Sequence, residues 1–151
     1  MHKIRVYADT SVFGGVYDED FAEATKKFME RVRAGEYCLI ISSMTHDELA
    51  GAPPEVGQVV EALAEGTYEE IDLDDEMREL ANAYLSAGAL GRASEYDALH
   101  VAAATVAKAD LILSWNFRHI VHMEKIRGFN AVNLKQGYLP MEIRSPMEVV
   151  S

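Results

Sequence analysis

Four polar side chains lie where the chain is expected to pass from strand into helix. Asp9 and Asn116 directly follow short apolar runs, and Glu48 and Asp97 stand near the start of stretches with helical patterning. In a parallel sheet with right-handed crossovers, every helix begins at the carboxyl edge of the strands. We therefore expect these four side chains to share that edge, which is where open α/β sheets bind ligands.

Carboxylates that converge at one edge would favour a particular chemistry. Asp9, Glu48 and Asp97 would repel one another within a few ångströms, and a bound hard cation is the usual remedy. The helix that follows Asp97 is expected to be buried, because it is apolar on almost every side. An acid buried there is costly unless it is paired, capped or bound to a metal.

Each of the four side chains also fits a purely local role. Two pairs match the capping box, in which an acid three residues into a helix closes its start; they are Ser94 with Asp97 and Thr45 with Glu48. Asp9 and Asn116 can likewise cap the helices that follow them. Four caps can share one edge without meeting, so the sequence leaves both interpretations open.

Other side chains near the same motifs can be given either a structural or a functional role. His100 lies one turn after Asp97 and is either a core histidine or a partner of that carboxylate. Trp115 is either a packed aromatic or a platform for a base. A basic stretch follows Asn116 and either contacts a nucleic-acid backbone or forms a solvated helix face; it comprises Arg118, His119, His122, Lys125 and Arg127.

The elements that must position these residues alternate between strand and helix. Strands are predicted at Ile4–Ala8, 37–41, Tyr68–Ile71, 110–113 and 131–134, and helices at about 18–34, 43–50, 54–64, 74–87 and 94–108. This alternation predicts a mostly parallel sheet of about five strands covered on both faces. Residues 1–151 are expected to form one domain, with 137–151 as a tail that packs on the domain or on a partner.

The net charge, the apolar runs and the cysteine count each exclude or favour particular classes of protein. The net charge of −11, from 25 acidic against 14 basic residues, counts against broad, charge-driven nucleic-acid binding. It still allows a small acidic site in which metal ions meet phosphates. No apolar run approaches the length of a membrane span. A single cysteine, Cys38, gives no intrachain disulfide, which predicts a cytoplasmic protein.

Taken together, the motifs resemble the PIN domain family, which includes the VapC-type toxins of toxin–antitoxin pairs. The resemblance rests on the segment 9–12 (DTSV) after the first strand, Glu48 after the second, the segment 97–104 (DALHVAAA) and the segment 114–117 (SWNF). It covers most of the chain, in the order that the family has. The DALHVAAA stretch followed by a strand and a polar tetrapeptide is its most specific part.

The resemblance implies a three-layer α/β/α sandwich and a ribonuclease, a hydrolase that uses Mg²⁺ or Mn²⁺ to cleave RNA phosphodiesters. Asp9, Glu48 and Asp97 match the acidic metal-site residues of the family. Asn116 matches the fourth catalytic and metal-binding position, which is often Asp. Since an amide removes one negative charge, the number of metal ions stays open. The resemblance also implies an antitoxin partner and a homodimer.

Two rival interpretations belong to other classes. A PIN-like fold that has lost activity would serve as a nucleic-acid or protein-binding module, and Asn116 and the acidic composition favour this modestly. A small-molecule phosphatase of the haloacid-dehalogenase type is the weaker rival. That mechanism needs a second Asp two residues after the first, and Ser11 occupies this place.

Overall fold

The positions of the polar side chains follow from one parallel sheet. The computed structural model describes residues 3–89 and 95–151. Within those ranges the strands are β1 (Ile4–Ala8), β2 (Tyr37–Ser42), β3 (Tyr68–Ile71), β4 (Leu111–Leu113) and β5 (Ile143–Arg144). Their order in the sheet is β3-β2-β1-β4-β5, and every neighbouring pair is parallel.

Helices connect the strands and cover the sheet. In the part of the chain that the structure describes they are α1 (Thr10–Gly14), α2 (Ala22–Arg33), α3 (Ser43–Leu49), α4 (Pro54–Glu61), α5 (Asp75–Ser86), α6 (Glu95–Val106), α7 (Met123–Lys135) and α8 (Pro146–Val150). A single 3-10 turn, Gly15–Tyr17, follows α1. None of the helices in the described ranges is long and apolar enough to cross a membrane.

The core lies on both faces of the sheet, as the period-2 alternation of a buried strand requires. In β1, Val6 and Ala8 face a cluster that also contains Phe28 of α2, whereas Tyr7 faces the opposite cluster, which contains Val101 of α6. The helix α6 is buried along most of its length, as its apolar sequence predicts. The structure thus confirms the predicted α/β/α sandwich.

The strand order places a topological switch point between β1 and β4. From β1 the chain proceeds outward to β2 and β3, and then returns to the other side of β1 for β4 and β5. The carboxyl ends of β1 and β4 are held side by side, because the backbone N–H of Asp9 donates to the carbonyl of Leu113 at 3.2 Å. A crevice outside such a switch point is where this sheet class binds ligands.

The predicted fifth strand at 131–134 is wrong. Those residues belong to α7, whose buried residues Phe129, Val132 and Asn133 recur at helical spacing, while Leu134 is exposed. A short apolar run cannot be assigned to strand or helix from its own pattern. The fifth strand instead lies inside the predicted tail, where Ile143 pairs with Ile112 of β4.

The predicted capping box of Thr45 with Glu48 is also wrong. The helix α3 begins at Ser43, and the backbone N–H of Ser42 donates to the Thr45 hydroxyl at 3.4 Å, so Thr45 is the acceptor of the box. Glu48 therefore lies in the second turn, with its carboxylate available for other partners. The corresponding box of Ser94 with Asp97 lies outside the described residues, because Ser94 does.

Candidate functional site

Asp9 is a buried carboxylate held by two serine hydroxyls. It occupies the position before α1, yet its side chain makes no capping hydrogen bond to that helix. Ser11 Oγ donates to Asp9 Oδ1 at 2.5 Å and Ser114 Oγ donates to Oδ2 at 2.7 Å. Asp9 is only 4% exposed. Burial raises the pKa of this carboxyl above its usual 3.8, and this outweighs the opposing effects of the His100 charge and the two serine hydrogen bonds.

Glu48 is fixed by a buried imidazole. His100 Nε2 lies 2.5 Å from Glu48 Oε1, and the Thr10 hydroxyl donates to the same oxygen at 2.9 Å. On the other side of the ring, His100 Nδ1 lies 2.7 Å from the Tyr7 hydroxyl, which lies 2.9 Å from Ser42 Oγ. Burial foremost raises the pKa of Tyr7, so the phenol keeps its proton and can donate to the imidazole.

This arrangement holds the Glu48 carboxylate charged and oriented. Burial alone would raise the pKa of Glu48, but the hydrogen bond and charge of His100 and the bond from Thr10 lower it below 4.5 overall. Among the described residues, no hydrogen bond reaches Glu48 Oε2, and the side chain keeps 30% of its surface exposed. One oxygen is therefore fixed and the other is available.

Asp97 and Asn116 meet across the same edge. Asn116 Nδ2 donates to Asp97 Oδ1 at 3.1 Å, and Asn116 Oδ1 accepts from the backbone N–H of His119 at 2.9 Å. The second bond sets the orientation of the amide, so its N–H₂ group faces the carboxylate. In this arrangement Asn116 acts as a donor to Asp97, and its role as a metal ligand stays a prediction.

Hydrogen bonds connect the predicted site residues in two groups, which meet where Asp9 and Thr10 adjoin in the chain. The backbone N–H of Asn116 donates to Ser114 Oγ at 2.9 Å, and that hydroxyl is the one that donates to Asp9. Asp9 adjoins Thr10, which bonds Glu48. The negative charge of Glu48 raises the pKa of Asp9 further, so these two carboxylates are close enough to repel.

The donor set at this edge fits a hard divalent cation. Carboxylate oxygens are the ligands that Mg²⁺ and Mn²⁺ prefer. A nearly buried acid with a raised pKa is one whose charge a cation would stabilise. Within residues 3–89 and 95–151, however, no three His, Cys, Asp or Glu side chains lie close enough to share one ion. Binding one cation to all three carboxylates would therefore require them to move closer together.

For His100 and Trp115 the structure decides between the two interpretations that the sequence left open, and it adds two side chains that the sequence did not indicate. His100 bonds Glu48 rather than Asp97, and Trp115 is a packed aromatic, 6% exposed, whose indole N–H donates to Thr25 Oγ1 at 2.9 Å. The contributions of Tyr7 and Ser114 were not predicted. Only the strand alternation, which turns Tyr7 towards α6, could have indicated the first of these.

The basic stretch does not form one continuous helix face. Residues 117–120 lie in turns, and α7 begins only at Met123. Arg118 and Arg127 are exposed, whereas His119 and Lys125 are partly buried. The stretch is therefore divided between a turn beside Asn116 and the first turns of α7.

Comparison of the fold with solved structures gives several similar chains. A chain in the structure of VapBC2 from Rickettsia felis, bound to a DNA fragment from its promoter, is 12% identical; the match covers 94% of this chain and 98% of that one, with a TM-score of 0.60. VapC20 of Mycobacterium tuberculosis, a toxin that cleaves the sarcin–ricin loop, is 13% identical over 71% of this chain and 86% of its own, with a TM-score of 0.54. The chain therefore has the PIN-like fold of VapC toxins.

The same comparison also gives a protein of a different class with a similar fold. Tyrosyl-tRNA synthetase from Aeropyrum pernix is 12% identical, with a TM-score of 0.51, over 95% of this chain but 53% of its own. No family model matches the sequence, and no curated protein matches it. Because one parallel-sheet topology supports different activities, function has to be argued from the site.

Proposed function

We propose that this chain is a metal-dependent endoribonuclease that hydrolyses RNA phosphodiester bonds. The observation that carries the proposal is the pair of hydrogen-bonded groups that hold Asp9, Asn116 and Asp97, and Thr10 and Glu48, at the switch point of a PIN-like sheet. Three acids on separate parts of the chain, one after β1, one in α3 and one in α6, share this edge of the sheet, and Asp9 is buried with a raised pKa. The two VapC-system structures with the same fold support this class of activity.

The residues of the chain have distinct parts in this proposal. Asp9, Glu48 and Asp97 would hold Mg²⁺ or Mn²⁺, with Asn116 orienting Asp97 or supplying its amide oxygen. When bound, the cation supplies Lewis acidity, which lowers the pKa of a water molecule and polarises a phosphoryl oxygen. His100 and Thr10 keep Glu48 charged with Oε2 presented, and the two serines keep the Asp9 oxygens in place.

The proposal extends to partners. The likeness to a chain of a VapBC complex supports an antitoxin protein as the partner that would restrain the nuclease. A homodimer is proposed on the exposed apolar side chains of α7 and α8, Leu134 and Met147, which are 62% and 52% exposed. Light scattering that gives the mass of a monomer would exclude the homodimer.

An RNA cleavage assay tests the activity. Wild type is expected to cleave single-stranded RNA with Mn²⁺ or Mg²⁺ and to be inactive in EDTA, while Asp97→Asn should lose at least about 100-fold, since a metal ligand loses its charge. Asp47→Asn is the matched control, because Asp47 is an exposed acid beside Glu48. If wild type and Asp97→Asn are equally inert on several RNAs, the enzyme proposal is wrong.

The orientation of Asn116 favours a second candidate, an inactive PIN-like module that binds nucleic acid or protein. Its amide gives Asp97 a hydrogen-bond donor in place of a fourth negative charge. An inactive module would still bind its partner without metal, and binding would be unaffected by Asp97→Asn. The same set of proteins therefore separates the two candidates.

A further inference from the structure

Two exposed aromatic residues are the chain neighbours of Asp97 and Asn116. Tyr96, which precedes Asp97, is 50% exposed, and Phe117, which follows Asn116, is 45% exposed. Neighbouring Cα atoms are about 3.8 Å apart, and the pair itself is joined at 3.1 Å. Among the described residues, the exposed large aromatic side chains are Tyr17, Tyr96 and Phe117, so two of these three adjoin the acidic site.

The ring of Phe117 packs against other aromatic rings. Its ring meets Trp115 edge-on, with centroids 6.0 Å apart, and lies 6.1 Å from Phe21. Phe21 in turn stacks on Trp115 at 4.0 Å and an interplanar angle of 10°. Trp115 is anchored by its bond to Thr25. Phe117 therefore projects from a rigid base, which lowers the entropy lost when a ligand stacks on it.

The charge of the chain limits how it can bind a nucleic acid. With a net charge of −11, it has little capacity to gain affinity by neutralising phosphates and releasing counterions. Stacking of bases on aromatic rings needs no positive charge and tolerates any sequence. It also requires bases that are free of a duplex, because paired bases present only their edges.

We propose that Tyr96 and Phe117 form a stacking subsite for unpaired nucleobases of a single strand that passes the acidic edge. This inference rests on the proposed function, since it assigns to two side chains the contacts with bases of the RNA substrate. Phe117 would hold a base on the β4 side of the Asp97–Asn116 pair, and Tyr96 would hold another on the α6 side. The phosphate between them would then face the carboxylates. Binding through stacking should depend only weakly on salt.

Fluorescence anisotropy with a labelled single-stranded RNA of about ten nucleotides tests the subsite. The full chain is titrated in EDTA and again with Mn²⁺, at several salt concentrations. Phe117→Ala and Tyr96→Ala should each weaken binding by about fivefold or more, whereas Phe117→Trp and Tyr96→Phe should retain it. Leu139→Ala is the control, because Leu139 is 83% exposed but precedes β5, at the opposite edge of the sheet.

A 2-aminopurine base in the same RNA gives a readout that a structural role would not change. Its fluorescence should be quenched on binding to wild type and recover with the alanine variants, and a duplex of the same sequence should bind more weakly. If the alanine variants bind and quench like wild type, or if wild type binds no RNA in either buffer, the subsite is wrong. RNA cleavage with unaltered binding by both alanine variants would refute the subsite alone. Quenched binding without cleavage would refute only the nuclease.

Discussion

Neutralising Asp9 should make the metal-free protein more stable. In the wild type a carboxylate that is 4% exposed carries a pKa raised by burial, despite hydrogen bonds of 2.5 and 2.7 Å from Ser11 and Ser114. Burying an ion costs several kcal/mol, and charge-assisted hydrogen bonds return only part of that. In Asp9→Asn the side chain keeps its shape without the charge, so the free energy of unfolding should rise by roughly 1–2 kcal/mol.

The dependence on pH follows from the direction of the shift. Because the folded state holds the Asp9 proton more tightly than the unfolded state, wild-type stability falls as the pH rises from the ordinary value of 3.8 through the raised pKa of the folded protein. The advantage of Asp9→Asn should therefore be small near pH 4 and largest at neutral pH. For a chain of this length it corresponds to a rise in Tm of about 2–8 °C.

Thermal unfolding in EDTA and in millimolar Mn²⁺ measures both parts of this prediction. Mn²⁺ should raise the Tm of wild type, because a hundredfold excess over Kd adds about 2.7 kcal/mol to the free energy of unfolding. The Tm of Asp9→Asn should stay nearly unchanged. Asp47→Asn controls for the loss of one exposed charge. An Asp9→Asn protein less stable than wild type at pH 7 in EDTA would show that the buried carboxylate stabilises the fold and would refute the reasoning.

Three further changes test other parts of the site. His100→Ala should lower stability by about 2–4 kcal/mol in urea unfolding at pH 7, because two buried hydrogen bonds and ring packing are lost, and should weaken Mn²⁺ binding. Asn116→Asp should lower the Tm in EDTA through like-charge repulsion and tighten Mn²⁺ binding measured by calorimetry. Gly15→Ala should cost about 1–3 kcal/mol, because a Cβ there would lie 2.6 Å from Trp115 Nε1, whereas Gly14→Ala, with no atom within 4 Å, should be tolerated.

Each of these predictions has an outcome that would contradict it. Unchanged Mn²⁺ affinity in His100→Ala would mean that the imidazole does not orient Glu48. Unchanged affinity in Asn116→Asp would place that position outside the metal site. Equal stability of Gly14→Ala and Gly15→Ala would mean that the backbone of α1 can move away from Trp115 at little cost.

The sequence predicted the sheet well where strands were short, apolar and followed by polar residues. β1 and β3 have the predicted bounds, and the edge that gathers Asp9, Glu48, Asp97 and Asn116 followed from right-handed crossovers alone. The strand prediction failed at residues 131–134. The helical spacing of Phe129 with Val132 indicates a helix there only when the preceding residues have already been assigned to the same helix.

The partners of each carboxylate were beyond sequence reasoning. The spacing of His100 after Asp97 left open a core histidine or a partner of Asp97, and the buried imidazole in fact bonds Glu48, 52 positions away. Such a contact depends on how α6 packs over β1, where Tyr7 holds the other ring nitrogen. Likewise, only the three-dimensional structure separates the buried Trp115 from the exposed Phe117, although both belong to the segment 114–117 (SWNF).

The central claim is that the network of carboxylates at the β1–β4 edge binds a divalent cation. A crystal soaked in Mn²⁺ and measured for anomalous scattering tests this most directly. We expect a peak within about 2.0–2.6 Å of oxygens from Asp9, Glu48 and Asp97, with the Glu48 contact made through Oε2. A well-soaked crystal with no peak at this edge, or with manganese bound only elsewhere on the chain, would contradict it.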